Sequence, residues 1–310
     1  METLRRWLDR FCTAKTAAGR SARTVHWYRE QIDRYLDWIA LHGAQGAPDP
    51  WLPETVEDFL AGERARGLKP ATVSARYRAL SAWCGWLVAR KHLAESPMTV
   101  VERPAVRREP VAYVRLAEFD RLYSAIAGER WGDYRDRAML LLLFWSGLRV
   151  GELVGLRVGD VDTAARLVTV REAKSGEGRI VPCPPQLGPV LLAYLMRRPP
   201  LPGHVDPATL FASNDGGGQV RGALTTWGVR LMLRRRCAAA GLRWLNPHAF
   251  RHGFAMEFLN AGMDMSAVSK ALGHSNEQIT AAVYAHWLTD GLRAEYDQIQ
   301  VKLQQKTHCN

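Results

Sequence analysis

No two cysteines of this chain stand close in sequence. Cys12, Cys84, Cys183, Cys237 and Cys309 are scattered, with no Cys-x-x-Cys among them. That spacing argues against a disulfide framework and against a thiolate zinc site, and it reads as reduced, intracellular thiols. Long apolar runs are lacking as well. The strongest, Ala138 to Trp145, falls far short of the ~20 residues a membrane span needs. The charged start, Met1 to Arg10, has no apolar signal core. A soluble cytoplasmic protein with no membrane partner is therefore expected. Acidic residues are the scarcer sign and form no cluster with the histidines, so no metal and no cofactor are expected. Lys and Arg number 42 against 31 Asp and Glu, for a formal net charge of +11 and a pI near 9.7. A polyanion is the first partner to consider. The excess is mostly arginine, whose planar fork suits phosphate oxygens.

What is present is mostly helical periodicity. A length of 310 residues accommodates about two domains. Leu4, Trp7, Leu8 and Phe11 repeat at helical spacing, as do Val25, Tyr28, Ile32, Leu36 and Ile39 after Thr24. Pro53 opens a short helix, and Thr72 to Arg90 forms a long one. The remaining faces carry Arg20, Arg23, Lys69, Arg76, Arg78, Arg90 and Lys91. A solvated face and a nucleic-acid contact explain these charges equally well. Residues 1–100 thus read as a helical domain. A basic stretch broken by Pro97, Pro104 and Pro110 places a linker at 101–112, and a second domain at 113–310.

In that second domain the stretch Leu116 to Ile126 reads as a helix. Tyr134 to Trp145, apolar on most sides, reads as a central one. Ser146 is a candidate N-cap for the next, with Arg149 three residues inside. Leu167 to Arg171 and Arg179 to Pro182 have strand composition and flank the turn chemistry of Ser175 to Gly178. They predict a β-hairpin with Lys174 at its tip. A basic helix from about Thr226 to Ala240 carries Arg230, Arg234, Arg235 and Arg236. Asn246 is a good N-cap and Pro247 suits the first helical position. His248 and Arg251 then project from one face of the first turns, beside unpaired N–H groups and the positive end of the helix dipole, a place for an anion. A capped helix with polar residues at a wet end explains the same residues. Gly262 ends that helix, Met265 to Leu272 forms the next, and Ser275-x-x-Gln278 has the form of a capping box for a helix carrying Tyr284. Leu292, Tyr296, Ile299 and Leu303 give the last helix an apolar stripe.

Taken together and in order, Ser-Gly-Leu-Arg149-Val-Gly-Glu-Leu, the hairpin lysine, His248-x-x-Arg251-His, Leu-Gly-His274-Ser and Tyr284-Ala-His resemble the tyrosine recombinase (phage integrase) family, most of all its compact Xer-type members. Arg-Thr-Val-x-x-Tyr28 and Pro70-Ala-Thr-Val73 are similar to that family's helical core-binding domain. The resemblance implies a mainly α protein with a small β-sheet in the C-terminal domain, built as a two-domain DNA clamp. It also implies a role for each matched residue. Tyr284 is the nucleophile, Arg149 and Arg251 clamp the scissile phosphate, Lys174 is the general acid, His248 is an acid/base partner and His274 bonds the phosphate. Arg76, Arg78, Arg230 and Arg234 are candidates for DNA contacts. The implied partners are double-stranded DNA with inverted half-sites and a tetramer on it, of this chain alone or with a paralogue, acting at the nucleoid. Three features differ from the usual pattern. The hairpin reads Ala-Lys174-Ser where Gly-Lys-Gly is common, the interval from His274 to Tyr284 is one residue longer, and no accessory arm-site domain is expected. The alternatives are a type IB topoisomerase-like relaxing enzyme and a catalytically silent DNA-binding homologue.

Such residues meet a specific chemical need. A phosphodiester repels nucleophiles, and its pentavalent transition state gathers charge on the non-bridging oxygens. Two fixed guanidiniums neutralise that charge in the way a metal ion does elsewhere. A phenol, with a pKa of about 10, must lose its proton as it attacks, and the leaving 5′-oxygen must gain one.

Overall fold

The computed structural model describes residues 1–42, 49–106, 112–171, 178–214 and 218–273. The chain divides into two compact units, Met1–Glu109 and Pro110–Asn310. Both are dominated by helices, and the second also holds small antiparallel sheets, in agreement with the mainly α class expected. None of the described helices is long and apolar enough to cross a membrane.

The first unit consists of α1 (Glu2–Ala17), α2 (Ala22–His42), α3 (Pro53–Ala65) and α4 (Pro70–Ala89). Proline opens α3 and α4 at the position where a missing N–H is harmless. Leu4, Leu8 and Phe11 of α1 are buried with Ile32, Tyr35, Leu36 and Ile39 of α2, Val56 and Phe59 of α3, and Leu80, Trp83 and Leu87 of α4. The same core holds an ionic cluster. Glu63, with its side chain only 3% exposed, accepts from Arg76 Nε at 2.8 Å and Arg66 Nη1 at 2.8 Å, while Arg76 Nη1 donates to Gln31 at 2.9 Å. Arg76, a candidate DNA contact by sequence, is instead buried and bonded within the unit. It sits on the inward face of α4 because a carboxylate on α3 and an amide on α2 take up its donors there. Arg78, two residues on, is exposed and stands over the Trp27 ring at 5.7 Å.

In the second unit, α6 (Trp131–Trp145) is the central element. Ala138 through Phe144 are all buried, so the second half of the helix is apolar all round, and the helix packs on α8 (Leu187–Arg197) and α10 (Pro247–Asn260). Full burial of each such leucine contributes roughly 1.5–3 kcal/mol. The predicted hairpin forms. β2 (Leu167–Val170) pairs antiparallel with β3 (Arg179–Pro182), and β1 (Val161–Asp162) adds a third strand on β2. Val168, Val170 and Val181 are buried, the period-2 signature of a one-sided sheet. A second pair, β4 (Ala212–Asn214) with β5 (Val220–Ala223), lies outside the sequence expectations. Around these elements stand α5 (Leu116–Ser124), α7 (Val150–Val154), α9 (Thr226–Ala239) and α11 (Met265–Leu272).

Two expectations change here. Ser146 does not cap α7. It ends α6, and its hydroxyl donates to Pro182 O at 2.8 Å, tying that helix to β3. Arg236 of the basic helix points inward, donating to Asp136 at 2.9 Å and Asp133 at 2.6 Å. Asp136 also takes two bonds from the buried Arg135.

Candidate phosphate-binding site

The site is assembled where the start of α7, strand β3, the first turns of α10 and the end of α11 meet. Asn246 caps α10 as its side chain accepts from Ala249 N at 3.0 Å, and Pro247 takes the first helical position. His248 and Arg251 are thereby set on adjoining turns. Arg251, 6% exposed, donates to Gly147 O at 2.7 Å and to Leu272 O. Gly147 has a φ of +59°, and a Cβ there would lie 2.8 Å from Phe254 Cδ1. Only glycine fits both demands.

Arg149 is the residue before α7, whose cap is a carboxylate rather than a hydroxyl. Glu152 Oε2 accepts from Arg149 N at 2.7 Å, and Glu152 Oε1 accepts from Arg149 Nη1 at 2.8 Å. Arg149 Nη2 also donates to Gly273 O at 3.2 Å. Arg149 and Arg251 thus hold the successive carbonyls Gly273 and Leu272, at the negative end of the α11 dipole. Gly273 closes that helix with a left-handed φ of +62°, the usual use of glycine at a helix end.

Two groups have shifted protonation equilibria. Burial alone would raise Glu152, but hydrogen bonds from Arg179 and Arg149, with the charge of Arg179, hold its carboxyl at about 2. His248 keeps an exposed edge. The protein packed around its ring, and then the charges of Arg230, Arg251 and Arg149, push its pKa down. A neutral imidazole, the form that accepts a proton, is favoured at neutral pH.

Of the six catalytic candidates, Arg149, His248 and Arg251 come together. Lys174, His274 and Tyr284 lie outside the described residues, as do the Ser275 to Gln278 capping box and the last helix. Arg230 is brought within electrostatic reach of His248, and Arg234 is exposed over Trp244 at 5.5 Å. Glu152 and Arg179 were missed as functional residues. A glutamate three positions after Arg149 is a capping signal that the sequence does display. Arg179 displayed only strand composition. Among the described residues no group of three or more His, Cys, Asp or Glu is placed to hold a metal ion.

Fold and site together define a mainly helical protein that gathers guanidiniums beside an imidazole, an arrangement chemically suited to an anion. The Phage integrase family matches residues 113–290. The tyrosine recombinase XerC of Haemophilus influenzae is 31% identical over 293 residues, covering 92% of this chain and 94% of that protein. The tyrosine recombinase XerA of Thermococcus kodakarensis is 30% identical, covering 92% of each. The chain belongs to the phage integrase family and is similar to its Xer tyrosine recombinases. The Tn1549 transposon integrase, solved in complex with a circular intermediate DNA, shares the fold with a TM-score of 0.74 at 20% identity, covering 94% of this chain and 99% of that one.

Proposed function

We propose that this protein is a site-specific DNA recombinase that cuts and rejoins strands through a 3′-phosphotyrosine. The observation that carries the reading is the convergence of Arg149 and Arg251 on adjacent carbonyls beside His248, in a chain of this family. Two of the five Arg149 side-chain N–H groups bond Glu152 and the Gly273 carbonyl, and the others are suited to a phosphate. In the proposed step the Tyr284 oxygen attacks the scissile phosphorus. The P–O5′ bond breaks, His248 takes the phenolic proton, and Lys174 gives a proton to the departing 5′-oxygen. Arg149, Arg251 and His274 bear the transition-state charge. The phosphodiester energy stays in the covalent link, so a second 5′-hydroxyl can displace the tyrosine without ATP, and paired exchanges pass through a Holliday junction.

Residues 113–310 are assigned to catalysis and residues 1–100 to DNA recognition, with Arg78, Arg230 and Arg234 as contacts to the sugar-phosphate backbone. The partner is duplex DNA with inverted half-sites, bound by a tetramer of this chain or of this chain and a paralogue, in the compartment that holds the DNA.

The test uses a nicked duplex that traps the covalent complex. The wild-type protein is expected to give an adduct on DNA, while Tyr284→Phe gives none and binds the same duplex with unchanged affinity. An adduct that survives the substitution would refute the assignment of Tyr284. Relaxation of supercoiled plasmid with no strand exchange would favour a relaxing enzyme.

A further inference from the structure

A third guanidinium belongs to the same arrangement. Arg179, at the start of β3, has a side chain only 9% exposed. Its Nη1 donates to Glu152 Oε1 at 2.8 Å, its Nη2 to Glu152 Oε2 at 2.8 Å, and its Nε to Ala271 O at 2.8 Å. Arg179, Arg251 and Arg149 therefore occupy three successive carbonyls, Ala271, Leu272 and Gly273. Each oxygen of Glu152 is shared between Arg179 and Arg149.

We infer that Arg179 is a positioning residue that keeps Glu152 from consuming the Arg149 guanidinium. The inference rests on the reading that Arg149 grips the scissile phosphate. A carboxylate and a guanidinium left to themselves close a two-bond fork. Here that fork is already made with Arg179, so Glu152 gives Arg149 one side-chain bond and one backbone bond. Arg149 is held in place yet keeps its charge and most of its donors for an anion. Lysine could not substitute for Arg179, because an ammonium cannot present a fork to Glu152 and a third donor to Ala271 at once. With Arg179 gone, the buried Glu152 turns its whole charge onto Arg149, and the phosphate loses a partner.

The experiment compares cleavage of two nicked duplexes, one with an ordinary scissile phosphodiester and one with a neutral methylphosphonate at that position. The proteins are the wild type, Arg179→Met, Arg179→Lys and the double variant Arg179→Met with Glu152→Gln. Each is also followed by thermal melting and by binding to the intact duplex. On the phosphodiester, Arg179→Met is expected to cleave on the order of 100-fold more slowly, with binding little changed, and Arg179→Lys to fall between it and wild type. On the methylphosphonate, which carries no charge to neutralise, the Arg179→Met defect should shrink to within a few fold. The double variant should regain part of the lost rate on the phosphodiester, since an amide does not neutralise Arg149. Equal defects on both substrates at unchanged melting temperature would overturn the inference, as would full activity of Arg179→Met. If Arg179→Met does not fold, the decision falls to Arg179→Lys: a phosphodiester-specific loss supports the inference and wild-type cleavage overturns it. Wild type that forms no adduct on either duplex would instead count against the recombinase reading itself.

Discussion

Each unit of the chain buries a glutamate between two arginines, yet the two clusters differ in kind. In the first unit, Glu63 meets Arg76, whose other bond goes to Gln31, while Arg66 reaches in from the surface with its side chain 70% exposed. The carboxylate there is bonded on both oxygens, and the Arg76 bonds to Glu63 and Gln31 end inside the fold. In the second unit, one carboxylate, Glu152, faces Arg149 and Arg179, and Arg251 joins them on the carbonyls that end α11. Three arginines share one carboxylate and a helix end there, and Arg149 keeps its side chain 29% exposed. Burial alone does not tell a structural arginine from a functional one. The destination of each donor does.

That contrast can be broken first on its structural side. Removing one member of a buried pair strands the other charge, at about 3–5 kcal/mol. Arg76→Met should therefore lower unfolding free energy by about that much in denaturant titrations, while the fraction that remains folded forms adduct at the wild-type rate. A loss of adduct formation at intact stability would mean that the Glu63 cluster is not merely structural.

Acid titration sharpens the other side. His252 in the folded chain is pushed down to about 4, by burial first and then by the charges of His248 and Arg251. An unfolded histidine takes its proton near pH 6.5, so below that pH the unfolded state binds more protons and stability falls until about pH 4. Glu152, at about 2, contributes stability that is full above the ordinary carboxylate range and lost as pH drops from about 4.5 towards 2. Thermal melts should thus show one decline from pH 6.5 to 4, on the order of 2–3 kcal/mol, and a second below it. His252→Gln should shrink the first decline to the part that the lowered pKa of His248 contributes, and leave the second unchanged. A first decline undiminished in His252→Gln would move its origin elsewhere.

The smallest effect is expected at the surface. Arg78→Ala removes one candidate phosphate contact and should reduce the slope of log affinity against log salt by about 1, equally for all DNA sequences. Arg76→Met, measured where it is still folded, should leave that slope alone. An unchanged slope for Arg78→Ala would remove Arg78 from the DNA contacts.

Helix positions were readable because they depend on neighbours in the chain. Proline at the starts of α3 and α10, the Asn246 cap, and the apolar second half of α6 each carry a local signal, whereas α4 begins at Pro70, two residues before the Thr72 expected. The strands β1, β4 and β5, of two to four residues, lack the run of β-branched residues beside a turn that marks β2 and β3. Ser146 looked like a cap because hydroxyls often are, but Glu152 reached back to the Arg149 N–H first. Of the proposed catalytic set, Arg149, His248 and Arg251 were recognisable from ordered motifs. Glu152 and Arg179 escaped because a glutamate inside a helix start and an arginine in a strand have ordinary local roles.

By itself, then, the order of residues determined where helices begin, which faces are apolar, that the chain is basic, and which motifs follow one another. Those are properties of neighbours within a few positions. Only the tertiary structure decided which arginines turn inward and what they hold. Arg76 meets a carboxylate 13 positions away and Arg179 one 27 positions away. At such separations a side chain's direction is set by what the packed elements place opposite it, and a partner worth several kcal/mol when buried is invisible until the chain has folded around it.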